Sequence, residues 1–432
     1  GEVYALSQFF MSFIIWAIMK WDADDSPQAD HWLVLIAYMT GLSIGVHLLS
    51  LLALPFIAMV YYYKRFKTTL VGWITAGIVG FLILGLYMKF IISFTLSYLA
   101  GMDLFFVNTL GMSFNSGVLF AVLLLAVVLI LILRYTHTGK DRDFNIAMGV
   151  TVFYVIFGFI INDGMLAKCV RLIFPVGLYV AKRYGYEARR LVNIAILSIT
   201  FSYIGYTSYM MVPIRSTANT PINMNRPTDP FSLKGYVDRE QYGDRPLMRG
   251  PDYTVTSRDI IDYVVTGERW VKNFKKQQYV DEGPKQDYKF RDDVQMLFPR
   301  MGFWQEQGKI DGYRAWLNPD YNVINDETKE VVKTFPDSEL KQAKDYAASL
   351  NKDNPGQFRV KDVISFGDNL RFFFKYQVGY MYFRYFMWNF AGKQNDIQGT
   401  YANDDGRWIS GIPFIDNSHK FFTPDWPQQN LP

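Results

Sequence analysis

Six stretches in the first half of the chain carry no Asp, Glu, Lys or Arg: residues 3–19, 31–63, 68–88, 104–133, 144–162 and 191–214. A bilayer core about 30 Å thick needs roughly 20 apolar residues in a helix to cross it, so these runs are membrane-span candidates. Run 3–19 is marginal in length. Run 31–63 is too long for one crossing. It holds Gly41, Gly45 and Pro55 and reads as two short helices meeting near Gly45–His47. Residues 165–182 carry Lys168 and Arg171 yet are apolar from Leu172 to Val180, which makes them a weaker span. The expected total is about seven or eight membrane helices, some short or re-entrant.

The averages of 50% hydrophobic and 19% charged conceal this division. Residues 1–213 hold 14 basic and 10 acidic side chains, and residues 214–432 hold 30 of each. The net charge of +4 therefore belongs to the apolar half. There it reads as loop charge obeying the positive-inside rule, not as a nucleic-acid footprint. Cys169 is the single cysteine, so no internal disulfide can form and redox compartment is not legible.

The stretch from Ser202 to Tyr253 divides the chain. It begins in an apolar helix, reaches Met211–Pro213 and turns polar and rich in Pro and Asn. The expected domains are thus a transmembrane helical domain, 1–213, and an exterior domain, 214–432. The basic loops at Lys64, Arg65 and Lys67, at Arg134, Lys140 and Arg142, and at Lys182, Arg183, Arg189 and Arg190 place one side in the cytoplasm. The exterior half would then be periplasmic in a bacterium with two membranes. Residues 100–116 read as an exterior loop, either a re-entrant segment or a short amphipathic connector.

Within the exterior half, 258–275 and 338–351 show helical periodicity, and Asp337–Ser338–Glu339 reads as a helix start. Residues 369–391 are dense in Phe, Tyr, Trp and Met. They are expected to form an aromatic helix, either membrane-proximal or part of the domain core. The exterior fold is mixed α/β or mainly α.

Few residues suggest chemistry. Glu2 precedes the first membrane helix, where a carboxylate can act as general base or simply complement the helix dipole. His47 lies within an apolar run, where an ionisable group marks a site unless it is a hydrogen-bonded core histidine. With His31, His137 and His419 placed elsewhere, no histidine metal cluster is expected. Arg215 follows the last apolar run, and Arg239, Glu240, Tyr242 and Arg245 follow in turn. Arginine at that boundary suits a lipid phosphate, or else anchors a helix end beside its acidic neighbours. Walker, dinucleotide-binding, GxSxG and CxxC motifs are absent.

GEVYALSQFF, GLSIGVHLLSLLALP, DLFFVNTLGMSFNSG, the segment from Ile214 to Leu247 and YQVGYMYFRYFMWNFAGKQNDIQG together resemble the multi-pass membrane proteins of Bacteroidota grouped as DUF2723. That family has animal members that are protein O-mannosyltransferases acting on plexin-type receptors. The resemblance implies a GT-C-like membrane bundle, all-α and multi-pass, in the bacterial inner membrane. It implies transfer of a sugar from a polyprenyl-phosphate donor to an exported protein, with no divalent metal expected. Glu2 and Tyr4 would line the catalytic cavity and His47 would lie below it. Arg215, Asn219, Asn223, Arg239, Glu240 and Tyr242 would form the rim, with Arg245 beside them. The principal acidic motif is expected upstream of Gly1, and further helices after Pro432, as in an internal piece of a longer protein. The competing expectation is a non-catalytic scaffold bound to other envelope-complex chains.

Overall fold

The computed structural model describes residues 2–26, 28–161, 164–218, 220–243, 246–302, 306–396 and 406–418. The chain forms two compact units, one of residues 1–243 with 268–284 and the other of 244–267 with 285–432.

The first unit is helical because its apolar runs are long and its breaks are chemically marked. Helices α1 (Glu2–Ala23) and α2 (His31–Ile44) precede a break at His47 and a short 3-10 turn, Leu48–Leu52. Helix α3 (Ala53–Arg65) then starts with Pro55 in its first turn, where the missing N–H costs nothing. The expected pair of short helices within 31–63 is therefore present. Helix α4 (Leu70–Tyr87) starts at Thr69, whose hydroxyl accepts from Gly72 N at 3.0 Å. It runs through a π-wound segment into α5 (Thr95–Leu104) and a further π turn, giving 40 continuous helical residues to Thr109. Such a helix is about 60 Å long, twice a bilayer core. The expected loop at 100–116 is thus mostly helix. Only 110–115 turn, with Gly111 and Asn115 at positive φ.

Helices α6 (Ser116–Thr138), α7 (Asp141–Ile160), α8 (Met165–Arg171), α9 (Ile173–Arg183) and α10 (Tyr186–Tyr206) follow. Gly139 ends α6 in the left-handed region, and Asp141 and Asp143 open α7 where the helix dipole favours acids. Two short helices, α11 (Met211–Thr217) and α12 (Pro230–Val237), complete the unit. Among the described residues, five of its helices are long and apolar enough to cross a membrane, so the chain is a multi-pass membrane protein. The tightest crossing joins α2 and α10. A Cβ on Gly41 would sit 2.1 Å from Ser202 O, and one on Gly205 2.4 Å from Tyr38 O, so only glycine allows the approach.

The second unit is mixed, as the composition implies. Strand β1 is Arg249–Pro251. Strands β2 (Ile260–Asn273) and β3 (Gln278–Phe290) form a two-stranded hairpin whose tip, 268–284, belongs to the first unit. The helix expected over 258–275 is therefore strand. Its Ile, Val and Thr content fits a pleated ribbon, and pairing with β3 outweighs the helical spacing. Strand β4 (Gln295–Leu297) pairs antiparallel with β1. After α13 (Gln307–Leu317), strand β5 (Tyr321–Asn325) lies between β6 (Val331–Phe335) and β7 (Phe358–Asp362) in an antiparallel sheet. Helix α14 (Leu340–Asp353) buries Ala343 and Ala347 on Tyr321, Val323 and Phe335 of that sheet. Helix α15 (Phe366–Phe372) continues through a π-wound segment, Phe373–Arg384, into α16 (Tyr385–Phe390), and α17 (Pro413–Ser418) is the last described helix. The aromatic helix expected at 369–391 is present.

Candidate functional site

The helical unit has two chemically different ends. At one end, Lys64 Nζ donates to the carbonyls of Trp21, Asp22 and Asp24 at 2.7–2.8 Å. Arg190 and Arg65 both meet Asp30, at 2.7 and 4.0 Å. Lys182 pairs with Asp141, Arg134 with Asp143, and Asn193 donates to Thr136. These contacts join the ends of α1, α3, α6 and α9 to the starts of α2, α7 and α10. Hence the three basic loops of the sequence share one end, and the acidic 20–30 loop lies among them.

At the opposite end the chain brings together several residues singled out in the sequence. The rings of Tyr4 and His47 lie 5.4 Å apart. His47 is extended, and its Nδ1 accepts from Leu49 N at 3.0 Å, capping the 3-10 turn. That bond fixes a neutral imidazole with the proton on Nε2, which is then a donor. Ser50 Oγ donates to Ser43 Oγ at 2.7 Å and lies 3.0 Å from His47 O, and Ser43 Oγ donates in turn to Thr40 O at 2.7 Å, so buried hydroxyls help satisfy the broken helix.

Helix α12 reaches the same end. Asp229 caps it through a reciprocal capping box with Ser232. Its last residue, Val237, packs into the apolar cluster of Ile44, Leu51, Ile91, Ile92 and Tyr206, and Leu48 beside His47 packs into that cluster too. The next residue, Asp238, accepts from Ser93 Oγ at 2.8 Å and from Lys234 at 2.9 Å. Arg239 then turns with φ +58, a conformation that non-glycine residues seldom hold without need, and it is exposed with Glu240 and Tyr242. Arg215 is exposed on α11. Asn223 closes a loop on Ser216, accepting from its hydroxyl at 2.9 Å and donating to its carbonyl at 2.8 Å. The Asn223 amide is therefore spent on the loop. Asn219, Arg245 and the side chain of Glu2 lie outside the described residues.

A second group at this end escaped the sequence reading. Asp103 is fully buried and accepts from Asn115 N at 3.0 Å, Gly117 N at 3.1 Å and Tyr279 Oη at 2.7 Å. Asn108 Nδ2 donates to Tyr279 O at 2.8 Å, and its Oδ1 accepts from Tyr279 N at 2.9 Å. Phe114 and Phe231 pack on the Tyr279 ring at 5.2 Å each. Burial first, then the bond to Asp103, hold the Tyr279 phenol protonated well above its usual range. One signal was available: Asp103 is the single charge between Lys89 and Arg134. Nothing local marks Tyr279, its partner 176 residues away.

These features define a multi-pass membrane protein with a polar cluster at one end of its bundle, away from its basic loops. The model of the Protein O-mannosyl-transferase TMEM260 N-terminal domain matches residues 1–70, a span that contains α1–α3, Tyr4 and His47. A family of unknown function, DUF8416, matches residues 243–374. No curated protein and no solved structure matches the chain.

Proposed function

We propose that the chain serves protein O-glycosylation as a GT-C-type glycosyltransferase of the DUF2723 kind, in the inner membrane of a bacterium such as a member of Bacteroidota. A mannose-like sugar would leave a polyprenyl-phosphate donor and join a Ser or Thr hydroxyl of an exported protein. The observation that carries this reading is the O-mannosyl-transferase domain match over residues 1–70. The meeting of Tyr4 and His47 within that span, at the end reached by Arg239, supports it. The three basic loops at the other end favour a cytoplasmic assignment there. The reacting end and the C-terminal half then face the periplasm.

The chemistry is an inverting displacement at the anomeric carbon. Glu2 takes the proton of, or orients, the acceptor hydroxyl as the new C–O bond forms. The sugar–phosphate bond breaks, and its electrons leave on the lipid phosphate. Arg239 and Arg215 oppose that charge, and His47 Nε2–H offers a neutral donor. Tyr4, Glu240 and Tyr242 border the acceptor path, Asn223 shapes its loop, and Asn219 and Arg245 would join them at the rim where donor phosphate and acceptor meet.

Transfer is tested with the intact protein in its native membrane lipids, a polyprenyl-phosphate sugar and a Ser/Thr-rich exported protein, read by intact mass. Glu2→Gln is expected to lower the rate by about 10²–10⁴, and Arg239→Ala by about 10²–10³. Absence of transfer with several sugars would overturn the reading in favour of a scaffold role. Unchanged rates in both variants would move the site elsewhere.

A further inference from the structure

The helix running through Phe373–Phe390 has two unlike faces. Phe372, Tyr376 and Tyr380 stack in series, 4.7 and 5.8 Å apart, and Trp316 packs on the last two at 5.2 and 5.4 Å. That stripe is the helix's attachment to its own unit. Positions two residues on point away from it: Phe374 and Tyr382 are each 61% exposed. Beyond them, Tyr382, Phe386 and Phe390 form a second ring stripe at four-residue spacing, with centroids 6.4 and 4.7 Å apart. Met381 and Phe383 flank it and are half exposed. A water-facing stripe of this size is unusual for a soluble surface and marks an interaction site.

Charge identifies the occupant. From Asp368 to Asp396 the chain carries Arg371, Lys375, Arg384 and Lys393 against two acids. Asp368 and Asp396 lie 3.8 Å from Arg371 and Lys393, so the net positive charge rests on Lys375, which is exposed, and Arg384. Arg384 is held by the carbonyls of Tyr380 and Gly406, both neutral acceptors. Lys393 lies 4.2 Å over the Trp388 ring. Aromatic rings with a net positive charge suit the boundary of a bilayer bearing anionic headgroups, where rings sit at headgroup depth and each uncompensated basic group adds attraction. A bilayer is also always at hand, because helices of the same chain are long and apolar enough to cross one. We propose that this outward stripe lies on the surface of an anionic membrane.

The test uses the whole chain in lipid nanodiscs, with Cys169→Ser removing the one native thiol, which is exposed. A spin label is placed at Phe386→Cys, or at Lys344→Cys on the exposed side of α14 as a reference. Relaxation by oxygen, which partitions into lipid, is compared with relaxation by a water-soluble nickel chelate. The expected result is oxygen-dominated relaxation at position 386 in anionic discs, weaker in neutral discs, with position 344 nickel-dominated in both. Lys375→Glu is expected to lower the lipid-bound to free ratio on the order of tenfold in anionic discs, without altering the reference label. Nickel-dominated relaxation at 386 in both discs would overturn the proposal by placing the stripe in water. Shielding from both reagents would overturn it by placing the stripe against protein.

Discussion

Two buried carboxylates, one in each unit, are stabilised by different chemistry. Among the described residues, Asp103 in the helical unit accepts only from neutral donors: two backbone N–H groups of one turn and the Tyr279 hydroxyl. Asp362 in the second unit takes both arms of the Arg314 guanidinium at 2.7 and 2.8 Å, plus the Tyr253 hydroxyl at 2.8 Å. A backbone-held carboxylate fixes the shape of a turn, because its donors cannot be exchanged by mutation. An arginine-held carboxylate ties two elements, here α13 and β7, and both partners can be replaced together.

The largest effect is expected from Asp362→Ala, which leaves Arg314 without its main partner and costs about 3–5 kcal/mol. Hydrogen exchange over α13 and β7 in detergent-solubilised protein measures it. Asp362→Leu combined with Arg314→Met and Tyr253→Phe should recover most of that loss, since apolar side chains of similar volume often replace a buried pair without penalty and no buried donor is then left without an acceptor. If the triple variant stays as unstable as the single one, the pair does more than tie elements.

Asp103→Ala should cost about 2–3 kcal/mol, because buried donors lose their acceptor. No second substitution can rescue it. The loss should show as faster exchange at Asn115 and Gly117 and earlier proteolysis at the hairpin tip. Tyr279→Phe removes one bond to a charged group, about 1.5–3 kcal/mol. It should loosen the tip while leaving the 110–117 turn protected, which separates the two roles of Asp103.

Acid titration sharpens the contrast inside the second unit. Burial alone would raise Asp259, but bonds from Thr256 and the Arg359 guanidinium outweigh it and hold its carboxyl below the usual range. Its contribution is full above the unfolded value near 4 and is lost as pH falls through the lowered folded value. Asp252 is shifted the other way, upward, chiefly by burial. Its ionised form therefore opposes folding at neutral pH, and folding gains as pH falls through the raised value. Asp252→Asn should thus stabilise the unit at neutral pH, with the gain fading on acidification. Thermal melts across pH 3–7 give both signs. The smallest change is expected from Arg190→Ala, since an exposed ion pair contributes little. A measurable loss of stability there would mean that the basic end is structurally coupled.

Much of the helical unit is legible in its sequence. Charge-free length predicts the spans, and Gly45–His47 predicts the break between α2 and α3. Local chemistry suffices there because bilayer thickness and backbone satisfaction leave few alternatives. The candidate site is legible in part. Tyr4 and His47, both singled out by the sequence, lie side by side, but Asp103 and Asn108 find Tyr279 from far along the chain. The 258–275 segment is misread because helical spacing and β-branched content conflict within it, and only its partner strand settles the matter.

Which half is apolar enough to enter a membrane, where its helices break and which loops carry positive charge can all be read from the chain alone. Each follows from hydrophobic length and from residues acting on their immediate neighbours. The tertiary structure decided which ends of the helices share a face, that Val237 and Leu48 pack into one cluster, and that a distant hairpin seals the turn at Asp103. Those outcomes rest on contacts between residues far apart in the chain. Their geometry is set by close packing, as at Gly41 and Gly205, and by the need of each buried polar group for a partner.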